Sequence, residues 1–485
     1  MKKFIIIAGI ALALTACNKK IDEIRPLTRI DKEGMLSSVS GVKETTTGLY
    51  LLLQGSGFVS YDVPLENFGE GRGNNVKLRE YNPASLQSDA WYFQNSTAER
   101  LGYSAGFYRS SYQIIVSANT TLEGITTLEK NFNSLTVADQ NDLLYSKGEN
   151  MFLRAFAYFN LVRLYGKPYY QNAESSKTIP LKRTSAINDI PPPATVKEIY
   201  DFIAEELKVA AQLMKAPVSK TNAFVTTGAA WALLSRVYLY MGGSVSAPVD
   251  DHNKRSVAYA DSLIDLSNGK YALLQGTAYN NMFADDSDGA LGRAIFKNNK
   301  EIIFAHDNSQ AGTTIDGIYH YDITYGGGLF TPSADFLQLL TPGDMRSSFF
   351  KFNPISNANE TTKWLVLSGR TATRAPQIYF RLGEAYLNRA EAYAKLKNYT
   401  KARLDLKAIH TRAGLPVADI DAIADQDLLA AVLKERRIEL AFEGHCGYDY
   451  FRNGLPMKRI AADNNGTERI IQPDDPKVVL TIPNF

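Results

Sequence analysis

Residues 390–406 read AEAYAKLKNYTKARLDL, and the fold turns on one spacing within them: Ala390-x2-Tyr393-x5-Tyr399-x2-Ala402-x3-Leu406. Small side chains at 390 and 402 let two antiparallel helices approach closely, while Tyr393 and Leu406 fill the groove between them. Neither helix of such a pair can bury its apolar face alone, so other helices must stack against it.

This is the spacing of a tetratricopeptide unit. Residues 226–266 read as a looser copy with a longer insertion, carrying Trp231, Ser235 and Tyr238 on its first helix and Ala258 on its second. Three or four such pairs are expected. The run 148–165, GENMFLRAFAYFNLVRLY, puts Phe152, Ala155, Phe156, Phe159 and Val162 on one face with Leu153, Ala157 and Leu161 beside them. A helix apolar on two sides is sandwiched between neighbours, and Gly166 and Pro168 stop it. Thr195 and Glu198 form a capping box for a helix running to about Met214, a further helix spans Thr226 to Met241 before Gly242-Gly243, and another begins near His252. Residues 56–95 and 270–374 do not read as helix; long loops rich in aromatics and glycine in a compact domain are commonly functional.

Composition narrows the class. Lys+Arg number 53 against Asp+Glu 51, and 45% of the chain is apolar, so the chain can bury a large core and lacks the cationic excess of a nucleic-acid binder. At the N-terminus, Lys2-Lys3, the apolar run Phe4 to Leu14 and the small-residue end Leu14-Thr15-Ala16-Cys17 make an export signal. The run is shorter than the ~20 residues of a membrane span. Cys17 is the expected lipid-bearing N-terminus, which leaves Cys446 as the other cysteine and no internal disulfide.

Candidate chemistry is sparse. No phosphate-binding loop or G-x-S-x-G elbow occurs, and Gly69-Glu-Gly-Arg-Gly73 lacks the strand a dinucleotide fingerprint needs. The five His lack zinc spacing. Asp285 to Gly289 is similar to a calcium loop, but Ala284 and Ile295 fall where carboxylates are needed, so a solvated acidic turn is expected and no metal or cofactor is implied. Glu435, Arg436, Arg437, Glu439 and Glu443 are expected on one helix as a structural ion-pair network of i, i+4 partners. The loop aromatics differ. Tyr81, Trp91, Tyr92 and Phe93 stand among Asn74, Asn75, Arg79 and Asp89, while Tyr319, Tyr321 and Tyr325 stand among Asp316, His320 and Asp322. A sugar offers an apolar C–H face and a rim of hydroxyls, which flat rings and nearby polar groups can hold. The candidate ligand-binding set is Trp91, Tyr81, Asn75, Arg79, Tyr319, Tyr321 and Tyr325, with Trp91 foremost; no residue is singled out as catalytic.

Four blocks then carry a resemblance: Gly148 to Ala155 through Leu164-Tyr-Gly-Lys-Pro168; Leu329-Phe-Thr-Pro-Ser333 with Asp344-Met-Arg346; Arg381 to Leu387 through Arg389-Ala-Glu-Ala392; and Glu435 to Gly444 with Asp449 and Arg452. With the lipidation signal, the chain resembles the SusD/RagB family of nutrient-binding surface lipoproteins. The resemblance implies a mainly α fold of tetratricopeptide-like helix pairs backing a loop-rich, short-strand binding face. It implies a signal peptide at 1–16, a lipidated tether at 17–34 and a single domain at 35–485, with an N-terminal part to about 250 and a C-terminal part from about 251. It further implies an outer-membrane, outward-facing lipoprotein that is not an enzyme, binds an oligosaccharide and delivers it to a SusC-like TonB-dependent barrel. A peptide ligand, or a purely structural lid on the barrel, are the alternatives.

Overall fold

The structure is a computed structural model describing residues 32–54, 61–82, 85–94, 102–283, 299–306, 316–319, 327–364 and 377–483. In chain order its longer helices are α1 (Val39–Leu52), α2 (Asp62–Gly69), α3 (Leu86–Tyr92), α4 (Gly102–Glu129), α5 (Val137–Tyr165) and α6 (Val196–Leu213). They continue as α7 (Thr227–Met241), α8 (Asp250–Ile264), α9 (Leu382–Lys395), α10 (Tyr399–Arg412), α11 (Leu428–Glu439) and α12 (Cys446–Arg452). Among the described residues the stack consists of four pairs, α1 with α4, α5 with α6, α7 with α8 and α9 with α10, each pair packed on the next. Ala390, Tyr393, Ala402 and Leu406 are all buried in one cluster between α9 and α10, as their spacing requires.

Local signals mostly land where the sequence puts them. Thr195 and Glu198 form both halves of the capping box at α6, and Gly166 terminates α5. Three expectations are corrected. Helix α5 begins at Val137, well before Gly148, because Thr136 caps it by accepting a hydrogen bond from Asp139 N–H. In the α7–α8 pair Ala258 is exposed; the close approach is made by Ser235 and Ser256, each of whose hydroxyls donates to the other's carbonyl at 3.1 and 2.9 Å. Helices α2 and α3 lie within 56–95, where none is expected. Their periodicity is hidden because Asp62, Glu66 and Asn67 of α2 are buried along with its apolar residues, so α2 has no polar face to contrast with an apolar one.

Among the described residues five antiparallel two-stranded ribbons cover the stack: β1 (Val76–Leu78) with β5 (Phe330–Pro332), β2 (Lys177–Pro180) with β3 (Pro193–Thr195), β4 (Ile302–His306) with β8 (Gln377–Arg381), β6 (Phe350–Asn353) with β7 (Ala358–Thr361), and β9 (Met457–Arg459) with β10 (Arg469–Ile471). The β4–β8 ribbon lies on the second apolar face of α5. Phe152 meets Phe304 and Phe380 edge-on at 6.2 and 6.3 Å, and Phe156 meets Tyr379 at 5.0 Å. Each ring so buried contributes roughly 1.5–3 kcal/mol by leaving water.

Charged residues of the resemblance blocks lie inside. Arg346 bonds Asp344 and Glu435; Arg381 bonds Glu301, Glu439 and Glu443; Arg452 bonds Glu391 through both carboxylate oxygens at 2.6 Å. The expected ion-pair network exists, but not between i, i+4 neighbours. Helix α11 ends at Glu439 and Phe442 takes φ 65°, so Glu443 lies beyond it, and the partners of Glu435, Glu439 and Glu443 come from other elements. Burial alone would raise the Glu439 carboxyl, but Arg412, Arg381 and Arg346 outweigh it and hold the group well below the usual range.

Candidate functional site

The aromatic loop residues separate into those that build the wall and those that face outward. Ser85 starts α3 by accepting from Ser88 N–H, and Phe93 ends it at φ 52°. That left-handed turn is held by Arg72, whose guanidinium lies 4.6 Å from the Phe93 ring, and by an edge contact with Phe451. It leaves Trp91 pointing inward, 2% exposed. The guanidinium of Arg459 covers the indole at 3.4 Å and donates to the carbonyls of Gly71, Gly73 and Trp91. Trp91 therefore offers no ring face to a solvent-borne ligand in this conformation; it supports the loop.

Asn75 is similarly occupied. Its amide donates to Glu70 at 2.8 Å and its oxygen accepts from Arg437 at 2.7 Å, joining the start of β1 to α2 and α11. Tyr319 is fully buried, donates to Glu66 at 3.1 Å and meets Phe442 edge-on. Burial, with Glu70 beside it, pushes the Glu66 carboxyl well above the usual range. Arg79 ties Gly327 and Gly328 to the end of β1 through their carbonyls and pairs with buried Glu360 at 3.6 Å, its side chain partly exposed. Tyr321 and Tyr325 lie outside the described residues, as do Asp285 to Gly289 and Cys17.

Among the described members of the set, Tyr81 is the one that presents its ring, at 48% exposure. It stands edge-on to half-buried Tyr92, centroids 5.3 Å apart at 87°. Arg469 of β10 lies 6.0 Å from the Tyr92 ring and donates to the Tyr92 carbonyl at 2.9 Å. The result is a corner of two phenol rings with Arg469 against its Tyr92 side. It can stack on an apolar face and donate to oxygen atoms around it. Arg469 is a partner the sequence could not have supplied, because it is 377 residues from Tyr92 and its neighbours carry no signal of the pairing.

The glycines at 69–73 also receive an explanation. A Cβ at Gly69 would collide with the Gly444 backbone, and one at Gly73 would sit 2.7 Å from Cys446 Sγ. They permit backbone-to-backbone packing against residues 444–447 and cradle no phosphate. Cys446 itself is buried and free, and burial pushes its thiol up to about 12. Among the described residues no group of His, Cys, Asp and Glu is arranged to hold a metal ion.

Comparison with known proteins agrees with this architecture. The family model described as "SusD family" matches residues 360–482, and that described as "Starch-binding associating with outer membrane" matches residues 65–239. Residues 1–18 match a prokaryotic membrane lipoprotein lipid attachment site. A SusD superfamily protein from Bacteroides vulgatus ATCC 8482 superposes with TM-score 0.76 at 26% identity, covering 92% of this chain and 96% of that one. A candidate sugar-binding protein from the same organism gives 0.75 at 26% identity, covering 92% and 95%. A SusD superfamily protein from Bacteroides thetaiotaomicron VPI-5482 gives 0.78 at 23% identity, covering 91% and 96%. No curated protein matches the chain. With four stacked helix pairs, buried blocks that supply its ion pairs and structural relatives aligned over nearly its full length, the chain belongs to the SusD superfamily.

Proposed function

We propose that this protein is a lipid-anchored oligosaccharide-binding protein of the outer membrane, oriented outward, that passes its ligand to a SusC-like TonB-dependent barrel without chemically altering it. The observation that carries the reading is the Tyr81–Tyr92 corner with Arg469 against it. Rings supply the face for a pyranose and the guanidinium group supplies donors for its hydroxyls. The description of one matching family as starch-binding and outer-membrane associated, and of one structural relative as sugar-binding, support the same ligand class. The lipid attachment match supports the anchor, with Cys17 as the acylated residue.

The test is calorimetric titration of the full chain carrying Cys17→Ser against neutral polysaccharides and mixed peptides, with Tyr81→Ala and Tyr92→Ala alongside. Glycan binding that weakens roughly tenfold in each variant, the scale of a lost stacking contact, supports the reading. Glycan binding indifferent to both variants moves the site elsewhere, and peptide binding alone replaces the ligand class. Co-purification of the barrel with the lipidated chain tests the partner.

A further inference from the structure

A cavity of about 250 Å³ opens where the loop before α7, the turn after α8 and the start of β4 converge. Lys220, Lys270 and Lys300 reach it from three separate segments, and among the described residues no carboxylate lines it. Lys220 is shared with Glu149, 3.5 Å away; Lys270 and Lys300 are exposed and pair with no carboxylate among the described residues. Thr226 lines it, and that residue directly precedes α7, a helix of 15 residues. Its first-turn N–H groups and axial dipole favour negative charge. Thr226 is the N-cap, yet it makes no side-chain capping bond. Its residue is nine-tenths buried, it lines the cavity, and its Oγ1 has no hydrogen-bond partner within the protein. Gly228 in the same turn has no Cβ, and the Tyr271 hydroxyl occupies that space, placing another donor against the helix start.

We propose that this cavity binds a small oxyanion, a sulfate or carboxylate group, with Thr226 at the N-terminal end of α7 as floor and Lys270 and Lys300 as walls. The net charge of +2 gives no hint of it, because the selectivity is local. The site shares no residue with the Tyr81–Tyr92 corner, and it stands whether or not that corner binds glycans.

The test titrates the full chain carrying Cys17→Ser with sodium sulfate against sodium chloride at matched ionic strength, then with N-acetylglucosamine 6-sulfate and with N-acetylglucosamine. The expected result is a saturable sulfate response that weakens roughly tenfold in Lys270→Gln/Lys300→Gln and about threefold in Thr226→Val, with melting temperatures unchanged. Tighter binding of the sulfated sugar than of inorganic sulfate assigns the site to an anion carried on a glycan; equal binding assigns it to the free ion. No saturable response in the wild type, or equal affinity in wild type and both variants, overturns the proposal. Failure of neutral sugars alone counts against the Tyr81–Tyr92 corner and not against this cavity.

Discussion

Glu439 is fully buried and takes hydrogen bonds from both Arg381 and Arg412, with Arg346 at 3.5 Å. Removing its charge takes away the carboxylate that Arg381, Arg412 and Arg346 share and leaves each of these buried guanidinium groups with its remaining partners alone, Glu301 and Glu443, Glu301, and Asp344 and Glu435. Glu439→Gln is therefore expected to lower the unfolding free energy by about 3–5 kcal/mol, read from urea denaturation at neutral pH. His306 gives a pH signature. Burial depresses its imidazole to about 4, against ~6.5 in an unfolded chain. Between those values the unfolded state binds more protons, so the stability this group contributes is full above pH ~6.5 and is lost as pH falls toward 4. The loss amounts to roughly 3 kcal/mol. His306→Gln should flatten the decline of the urea midpoint between pH 7 and 4.5; identical slopes for variant and wild type would assign the decline to other groups. Glu66 acts in the opposite sense, since its raised carboxyl contributes fully at low pH and loses that contribution as pH rises through its folded value.

Among the elements, α2 and the turn after it depend on contacts that exclude side chains. Gly69 lies against the carbonyl of Gly444, with backbone on both sides, so neither partner can rotate away. Gly69→Ala is expected to destabilise by about 3 kcal/mol, the upper end for overpacking a filled site, and to loosen the β1–β5 ribbon that carries Arg79. Urea denaturation reads the first effect, and hydrogen exchange at Lys77 to Arg79 reads the second. An exchange pattern unchanged despite the lost stability would show that the ribbon stands independently of the glycine contact.

Across the whole molecule one apolar cluster runs from Leu49 to Leu480. Arg381 adds a polar fastening by joining the segment before β4 to α11 and to the residues after it. Few contacts of this kind can be lost piecemeal. Calorimetry is expected to show one endotherm, with calorimetric and van't Hoff enthalpies in agreement. Two resolved transitions would divide the chain near residue 250 and replace the single-domain expectation.

The stack was legible in the sequence because its signals are local: the Ala390 to Leu406 spacing, the Thr195–Glu198 capping box and the glycines ending α5 and α7 each act within a few residues. Helix α2 was illegible because its carboxylates face inward, and the partners of Glu435 and Glu439 were misassigned because charge spacing on a helix cannot show which distant arginine arrives. The candidate site divided the same way. Composition identified Trp91 and Tyr81 together as aromatics among polar residues, and nothing local distinguishes them. Only the tertiary structure set Arg459 over the first ring and left the second in solvent, because exposure of a ring is decided by what the rest of the chain packs against it.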